Sequence, residues 1–343
     1  MILAGDIGGT KCTLALYDPS EHELRQLCRL TLLTRRCETL AGLLEEFGRY
    51  ALQEGIDIRQ GLTCAGFGVA GTVVGDRVLS GNMPWAVDRG SIAAALHLDP
   101  SRITLLNDLV AAASSLAHLK SSDLLRLNEG EREPLAPMAF IAAGTGLGEA
   151  ILFWDGHRYK VSPCEAGLTD FAPRNDREFL LLQSMRQRMP RVCTEDIISG
   201  RGFRVIHQIV FPGVQHAFFD EPGVDTAAQI TQQALAGSCT ACVETLQMWV
   251  ELYGAEAGNM ALRVLPFGGV YVAGGIAPKI LPKLEDGSFV RAFSDKTQLS
   301  AQLAKIPIYL VLNEDAAVLG AAREAISRAN AAKPATTAST ALV

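Results

Sequence analysis

Two short glycine-rich segments contain the residues whose types and spacing are best suited to chemistry. The first lies between apolar runs at residues 1–4 and 13–17 and reads Gly5-Asp6-Ile7-Gly8-Gly9-Thr10-Lys11. Neighbouring glycines let backbone N–H groups approach an anion closely, because no Cβ intervenes. Thr10 and Lys11 can donate to phosphate oxygens, and Asp6 can hold Mg²⁺ through water. The segment predicts a strand, a phosphate-binding turn and a second strand; taken alone, an ordinary hairpin with a glycine turn is the alternative.

The second segment repeats this pattern near the middle of the chain. The apolar residues 138–143 are followed by Gly144, Thr145, Gly146 and Gly148, and then by the apolar residues 150–153. A repeated strand–turn–strand pattern indicates a fold built from two related halves. Each half is expected to contribute one phosphate-binding hairpin.

Polar side chains that could hold a polyhydroxyl ligand lie elsewhere in the chain. Asn107 and Asp108 stand where an apolar strand meets a helix, a position at which side chains can face a ligand. A carboxylate there can accept the proton of a hydroxyl that attacks a phosphoryl group, although such a pair alone is more often a helix cap. Glu165 and Glu195 would add fixed hydrogen-bond acceptors; each alone would be a solvated surface charge.

Two further glycine motifs have different interpretations. Gly274 and Gly275 follow a buried strand at residues 270–273, and such a turn lets a flat base or ribose lie against the backbone. Residues 66–71 match the G-x-G-x-x-G pattern of dinucleotide sites, but that motif must open a helix. A β-hairpin with a Gly-Asp turn is predicted to follow instead, so a dinucleotide site is rejected.

The surrounding pattern alternates strands and helices and predicts an α/β fold. Apolar residues recur at helical spacing over residues 40–51 and 109–116. Short apolar strands are predicted at residues 64–69, 103–106, 270–273 and 308–312.

Composition limits the classes of function. The 343 residues are 48% hydrophobic and 20% charged, with a net charge of −6, which argues against nucleic acid as a partner. No apolar run is long enough to cross a membrane, and no secretion leader is recognised, so a cytoplasmic location is expected. Eight cysteines are present, and only Cys239 and Cys242 form a C-x-x-C pair. Because this pair lies in a helix-like stretch at residues 234–250 with no histidine at zinc spacing, packed thiols in a reducing cytoplasm are favoured over the alternative of zinc or redox use.

In this order, the segments resemble the bacterial glucokinase family of the hexokinase/actin-like phosphotransferase superfamily, from residue 3 to about residue 326. The first two glycine segments match the family's phosphate motifs, and residues 272–276 are similar to its adenosine motif. Asn82-Met83-Pro84-Trp85 is similar to its Asn-x-Pro-Trp sugar segment. The resemblance implies a ribonuclease H-like fold with two domains and an interdomain cleft, and commonly a homodimer. It also implies Mg-ATP as the donor and the 6-hydroxyl of glucose as the acceptor.

By the same resemblance, the catalytic base falls on Asp108, and sugar-binding positions fall on Asn82, Asn107, Asp108, Glu165 and Glu195. Nucleotide-binding positions fall on residues 5–11, Gly144, Thr145, Gly146, Gly274 and Gly275, with Asp6 on the metal side. A small domain over residues 1–107 is expected to be completed by a helix near 314–326. A large domain is expected over 108–313, with a disordered tail over 327–343.

One position departs from the family pattern. The family loop reads Glu-Gly-Gly-His-x-Asp-Phe, whereas this chain has Leu168 where the sugar-contacting histidine is expected. Leu168 cannot form a hydrogen bond, and an unpaired buried hydroxyl costs about 1–3 kcal/mol. A kinase for another hexose or amino sugar is therefore the alternative. A non-catalytic sugar sensor is a further alternative, but the presence of Asp108 favours catalysis.

Overall fold

The computed structural model describes residues 1–19, 24–80 and 83–331, and within these ranges it contains fourteen strands. The strands are β1 (Ile2–Ile7), β2 (Lys11–Pro19), β3 (Leu24–Leu33), β4 (Cys64–Val69), β5 (Thr72–Val74), β6 (Arg77–Leu79), β7 (Val87–Asp88), β8 (Ile103–Asn107), β9 (Leu124–Arg126), β10 (Met138–Ala143), β11 (Leu147–Trp154), β12 (Tyr159–Cys164), β13 (Val270–Ala273) and β14 (Ile308–Val311).

Eleven α-helices accompany the strands within the same described ranges. They are α1 (Leu40–Gln53), α2 (Arg89–Leu96), α3 (Asp108–Ser114), α4 (Asp176–Arg186), α5 (Gly200–Val210), α6 (Thr226–Leu235), α7 (Thr240–Val264), α8 (Leu281–Glu285), α9 (Ser288–Ser294), α10 (Ser300–Leu303) and α11 (Ala316–Ala331). Among the described helices, none is both long enough and apolar enough to span a membrane.

The two large sheets share one topology. The first has the strand order β3-β2-β1-β4-β8, and the second has β12-β11-β10-β13-β14 with β9 added at its edge. In each sheet, the first three strands in this order pair antiparallel with their neighbours. The next two strands run parallel to the third strand, which is β1 or β10, and to each other. This topology confirms the predicted α/β fold of two related halves, and the strands predicted at residues 64–69, 103–106, 270–273 and 308–312 are present.

The chain divides into two compact units. Unit 1 comprises Met1–His118 and the segment from Glu314 onward, and unit 2 comprises Leu119–Asn313. The sequence boundary between residues 107 and 108 therefore differs from the observed division, which falls after α3. The reason is packing, because Ala111 of α3 lies against Gly68 of β4 and Gly320 of α11, all within unit 1.

The core of unit 1 has two layers of helices around its sheet. Alternate residues of a strand point to opposite faces, so Leu3 and Ile7 pack with Phe47 of α1 on one side. Ile2 and Ala4 pack with α11 on the other side. Both faces are buried, which explains the nearly continuous apolar character of β1.

The core of unit 2 is centred on the long helix α7. Trp249 stacks on Phe203 of α5 with ring centroids 4.6 Å apart. The Tyr253 hydroxyl donates to the carbonyl of Ile141 at 3.2 Å, which joins α7 to β10. Gly254 and Gly258 allow α9 to approach, since a Cβ on either would lie within 2.3 Å of a carbonyl oxygen of α9.

The G-x-G-x-x-G segment serves packing, and the hairpin predicted after it is present. It forms β4 and leads into the β5–β6 hairpin rather than into a helix. A Cβ on Gly66 would lie 2.1 Å from the carbonyl oxygen of Ala321 in α11. These glycines therefore allow helices to approach the sheet closely.

Two expectations about helices need correction. The stretch at residues 234–250 is not one helix, because α6 ends at Leu235 and α7 begins at Thr240, with Cys239 at its N-cap. The tail was expected from residue 327, but α11 continues to Ala331 because its alanines favour helix and Ala325 and Ala329 are buried. Residues 332–343 lie outside the described ranges.

Candidate functional site

The first glycine loop is the four-residue turn between β1 and β2. Ile7 pairs with Cys12, so residues 8–11 form the turn, and the Gly8 N–H donates to the Lys11 carbonyl at 3.0 Å. Lys11 is exposed at the end of the turn. Gly5 and Ile7 lie in the strand, where the Ile7 side chain is buried, and a Cβ on Gly5 would lie 2.6 Å from Leu14.

Thr34 holds this turn in place, although the sequence analysis did not single it out. Its hydroxyl donates to the Gly8 carbonyl at 2.6 Å, and its N–H donates to the Thr10 carbonyl at 2.9 Å. Thr34 is fully buried. Two carbonyls of the turn are therefore engaged on the protein side, which fixes the shape of the loop.

Asp6 lies just before the turn in a strongly acidic environment. Burial, with repulsion from Asp108 and Asp315, raises the pKa of Asp6 to about 6, and Lys11 offsets part of this rise. The Asp315 carboxylate is held by Arg29 through hydrogen bonds of 2.8–3.0 Å. Unit 1 thus gathers three carboxylates near its glycine loop, and Asp315 was not foreseen from the sequence.

Asn107 and Asp108 occupy the junction of β8 and α3, as predicted. The Asn107 side-chain oxygen caps α3 by accepting from the N–H groups of Leu109 at 2.9 Å and Val110 at 3.3 Å. Its amide nitrogen donates to the Gly71 carbonyl at 3.0 Å. Asn107 therefore has the structural role of a helix cap. The second N–H of its amide nitrogen could still donate to a ligand hydroxyl.

Asp108 is half-buried at the first position of α3. Burial raises the pKa of its carboxyl, against the lowering effect of the Leu109 N–H, which donates to it at 2.9 Å. Close packing fixes the helix that carries it: a Cβ on Gly320 would lie 1.8 Å from the Ala111 carbonyl oxygen. Asp108 is thus a positioned carboxylate with raised basicity.

The second glycine loop is the three-residue turn between β10 and β11. Ala143 pairs with Leu147, and the Gly144 N–H donates to the Gly146 carbonyl at 2.9 Å. Glu195 lies directly against this turn: it accepts from the Leu147 N–H at 3.0 Å, and a Cβ on Gly146 would lie 2.4 Å from its Oε2. A side chain at residue 146 would therefore displace the Glu195 carboxylate from this position.

Arg201 adds a positive charge beside the second loop. Its guanidinium donates to Glu195 Oε1 at 3.0 Å and lies 3.6 Å from Asp196. The Gly200 N–H donates to the Gly144 carbonyl at 2.8 Å, so the start of α5 is attached to the same turn. Arg201 was not foreseen from the sequence, because nothing in its neighbourhood links it to residues 144–146.

The loop that contains Glu165 and Leu168 packs against the second glycine loop. Residues 166–168 form a short 3₁₀ turn, and a Cβ on Gly167 would lie 2.2 Å from the Leu147 carbonyl oxygen. The Thr194 N–H donates to the Thr169 carbonyl at 2.9 Å, which joins this loop to the one bearing Glu195. Glu165 and Leu168 are both exposed. Unit 2 therefore brings Glu165, Glu195 and the second loop together.

Gly274 and Gly275 lie at the end of β13, the parallel neighbour of β10. Gly274 has φ +89°, and a Cβ there would lie 2.3 Å from the Ala143 carbonyl oxygen, so only glycine fits. Gly275 is exposed, with no atom within 4 Å of the position that a Cβ would take. This turn thus offers open backbone beside the second loop.

The residues present are suited to a nucleotide and a divalent cation. Gly144, like Gly275, has open space where a side chain would stand, which leaves room for a phosphate or a base. A divalent cation would relieve the repulsion that raises the pKa of Asp6. Of the predicted site residues, Asn82 lies outside the described residues.

Comparisons with known proteins identify the family. A sequence model of the glucokinase family matches residues 3–327. A glucokinase of Nostoc sp. is 37% identical over 341 residues, covering 94% of this chain and 98% of that protein. A glucokinase of Aromatoleum aromaticum is 35% identical over 324 residues, covering 93% of each. The crystal structure of a glucokinase from an Antarctic psychrotroph matches with a TM-score of 0.82 at 25% identity, over 95% of this chain and 98% of that one. The chain therefore belongs to the glucokinase family.

Proposed function

We propose that this protein is an ATP-dependent glucokinase, which transfers the γ-phosphoryl group of ATP to the 6-hydroxyl of D-glucose. The family match over residues 3–327 and the identity with curated glucokinases support this reaction. The observation that carries the proposal is Asp108, a half-buried carboxylate of raised pKa at the start of α3. It has the protonation behaviour that a general base requires.

Asp108 accepts the proton of the sugar 6-hydroxyl as that oxygen attacks the γ-phosphorus. The new P–O bond forms to the sugar, the bond to the β-phosphate oxygen breaks, and ADP leaves. Burial raises the pKa of Asp108, and a higher pKa strengthens its carboxylate as a base. Its rigid place at a helix start keeps the carboxylate in one orientation.

The two glycine loops bind the phosphates of ATP. In unit 1, the backbone of residues 8–10 and the side chains of Thr10 and Lys11 donate to phosphate oxygens. In unit 2, Gly144, Thr145 and Gly146 do the same, and the open backbone at Gly274 and Gly275 receives the adenosine. Asp6 would hold Mg²⁺ on its side of the loop, and the ion would supply positive charge to the phosphates of ATP.

The sugar is bound by Asn107, Asp108, Glu165 and Glu195, together with Asn82. Glu195 already shares its carboxylate between the Leu147 N–H and Arg201, so its remaining lone pairs are aimed by two fixed contacts. Leu168 leaves one sugar hydroxyl without the family's histidine. Because the curated relatives are named glucokinases, a different hexose is not favoured as the substrate.

A kinase assay over a panel of hexoses tests the substrate. With ATP and Mg²⁺, the wild-type protein should form glucose 6-phosphate and prefer glucose to mannose, fructose and glucosamine. Leu168→His should lower the KM for glucose by about 5–100-fold, because it restores one hydrogen bond. Leu180→His, an exposed leucine on α4, is the matched control and should leave the KM unchanged.

Failure to phosphorylate any hexose would overturn the proposed function. Unchanged glucose use in Leu168→His would overturn only the role given to that position. The homodimer and the cytoplasmic location belong to the same proposal, as does the absence of a nucleic-acid partner. Light scattering on the purified protein tests the homodimer, and a monomer at micromolar concentration would contradict it.

A further inference from the structure

Unit 2 contains a cluster of cysteine and histidine side chains that the proposed reaction does not use. The Cys-His cluster consists of His207 on α5, His216 in the following loop, and Cys239 and Cys242 at the start of α7. One ligand atom each of His207, His216 and Cys242 can be chosen so that all three lie within 4.8 Å of one another. Three chain segments therefore converge on these residues; Cys239 is not part of this closest set of three and reaches the cluster through His216.

The distances in the cluster match the edges of a metal tetrahedron. His216 Nε2 lies 3.5 Å from Cys242 Sγ and 3.7 Å from Cys239 Sγ. For zinc bonds of about 2.3 Å to sulfur and about 2.0 Å to nitrogen, tetrahedral geometry places nitrogen and sulfur about 3.5 Å apart. The histidine and both thiols already stand at this spacing.

His207 completes the set and has no other partner among the described residues. It is fully buried, and neither ring nitrogen has a hydrogen bond. A buried polar group is normally satisfied, so an orphaned imidazole that faces another histidine and a thiol needs an explanation. A metal bond to one ring nitrogen would supply it.

Aromatic rings pack around the two histidines of the cluster, as in a closed structural site. Phe219 packs edge-on against His207 and His216, with ring centroids 5.1 and 5.5 Å away. Phe218 stacks on His216 at 4.7 Å. The Gln233 side-chain oxygen lies 3.7 Å from Cys242 Sγ and forms part of the outer shell. No open coordination position for a substrate is needed in such a site.

We propose that the Cys-His cluster binds one structural Zn²⁺ through two cysteines and two histidines. Each thiol gives up its proton to solvent when its sulfur bonds the metal, and both imidazoles bind in the neutral form. Two thiolate charges then balance the two charges of the ion, so the buried site is neutral.

The metal would join the end of α5 to the start of α7. The other end of α5 is already attached, since the Trp249 ring N–H donates to the Ser199 carbonyl at 3.2 Å. Arg201, beside the second glycine loop, is carried by the same helix. The site therefore stabilises the helix that supports this loop. The inference stands on the cluster itself and not on the proposed reaction.

Metal analysis of the full-length, reduced protein tests the proposal. After purification without chelator, the wild type should carry about one zinc per chain. After the metal is removed, Co²⁺ should give a tetrahedral spectrum with a thiolate-to-cobalt charge-transfer band. Cys242→Ser and His216→Ala should weaken Zn²⁺ affinity by more than the ~10–100-fold that loss of an outer-shell partner costs. Cys28→Ser, a buried cysteine on β3, is the matched control and should bind zinc normally.

Three results would overturn the proposal. One is a wild-type protein that is purified without zinc and gives no thiolate-to-cobalt band when Co²⁺ is added. This experiment does not depend on the folding of any variant. Another is equal Zn²⁺ affinity in the wild type and in foldable Cys239→Ser and Cys242→Ser variants. The third is a Cys239–Cys242 disulfide in the protein as isolated from a reducing cytosol.

Discussion

The two glycine loops occupy equivalent places in two sheets of the same topology, yet their surroundings differ. In unit 1, Asp6 pairs with Thr13 one step before the turn, and in unit 2 the equivalent pair is Ala142 with Gly148. The first turn is one residue longer and ends on the exposed Lys11. A shared backbone framework therefore carries different chemical groups in each unit.

Charge separates the two regions most clearly. The loop of unit 1 lies beside Asp6, Asp108 and Asp315, whose mutual repulsion and burial raise the pKa of Asp6. The loop of unit 2 is supported by one carboxylate, Glu195, which is paired with Arg201. The proposed general base and the proposed Mg²⁺ side therefore both lie in unit 1, whereas the proposed nucleotide surface of unit 2 has a cation, Arg201, beside it.

Unit 2 also has a carboxyl of raised pKa, but it lies away from solvent. Glu149 on β11 is 1% exposed, and burial and repulsion by Glu256 raise its pKa to about 8. Glu256 is paired with Arg263 at 3.1 Å, and Glu149 Oε1 has no hydrogen-bond partner among the described residues. The comparison therefore sets a functional acidic cluster in unit 1 against a buried protonated acid in unit 2.

The largest change in stability is expected from Gly320→Ala. In an ordinary helix this substitution stabilises by about 1 kcal/mol. Here the new Cβ would lie 1.8 Å from a carbonyl oxygen of α3, so we expect the free energy of unfolding to fall by about 3 kcal/mol. Gly48→Ala on α1, which meets only the flexible end of Ile58, is the control. Equal denaturation midpoints for the two variants would show that α3 is not held by this contact.

A smaller change in stability, in this case a gain, is expected from Glu149→Gln. The folded state holds the Glu149 proton more tightly than the unfolded chain, so wild-type stability falls as pH rises from about 4.5 to about 8. The variant should lose this dependence and be more stable at pH 8 by about 2–3 kcal/mol. Glutamine leaves the glucose KM and kcat unchanged, because Glu149 lies outside the candidate site. Parallel pH profiles of unfolding in both proteins would refute the assignment.

Asp6→Asn should have the smallest effect on stability but a large effect on turnover. Removal of a buried charge, together with relief of repulsion from Asp108 and Asp315, should stabilise the metal-free protein by about 1–2 kcal/mol at pH 8, and this gain should vanish below pH 4. Activity should fall by about 100-fold or more, since the metal side loses its carboxylate. Denaturant titrations at two pH values measure the change in stability, and a Mg²⁺ titration of kinase activity measures the change in turnover. A stabilised variant with full activity would separate Asp6 from the reaction.

The sequence predicted the framework well because its signals are local. Apolar strands that flank glycine turns gave both hairpins, and the order of motifs gave the family. Asn107 and Asp108 were located because a strand end and a helix start are visible in the residues. The hairpin after Gly71 likewise excluded a dinucleotide site.

What the sequence did not reveal depends on contacts between distant segments. Thr34, Asp315 and Arg201 reach the loops from other parts of the chain, and no pattern links them to residues 8–11 or 144–146. His216 lies 23 residues before Cys239, a spacing that matches no common zinc motif. The boundary after α3 follows from the packing of Gly68 and Gly320, which only the fold displays.

Turnover of Asp108→Asn tests the central claim most directly. The amide keeps the shape of the side chain but is not a base, so kcat should fall by about 10²–10⁴-fold while the Kd for glucose stays within about tenfold. Asp99→Asn, an exposed aspartate in unit 1, should retain normal kcat and Kd. Near-normal turnover by Asp108→Asn would contradict the assignment of Asp108 as the base that receives the sugar proton.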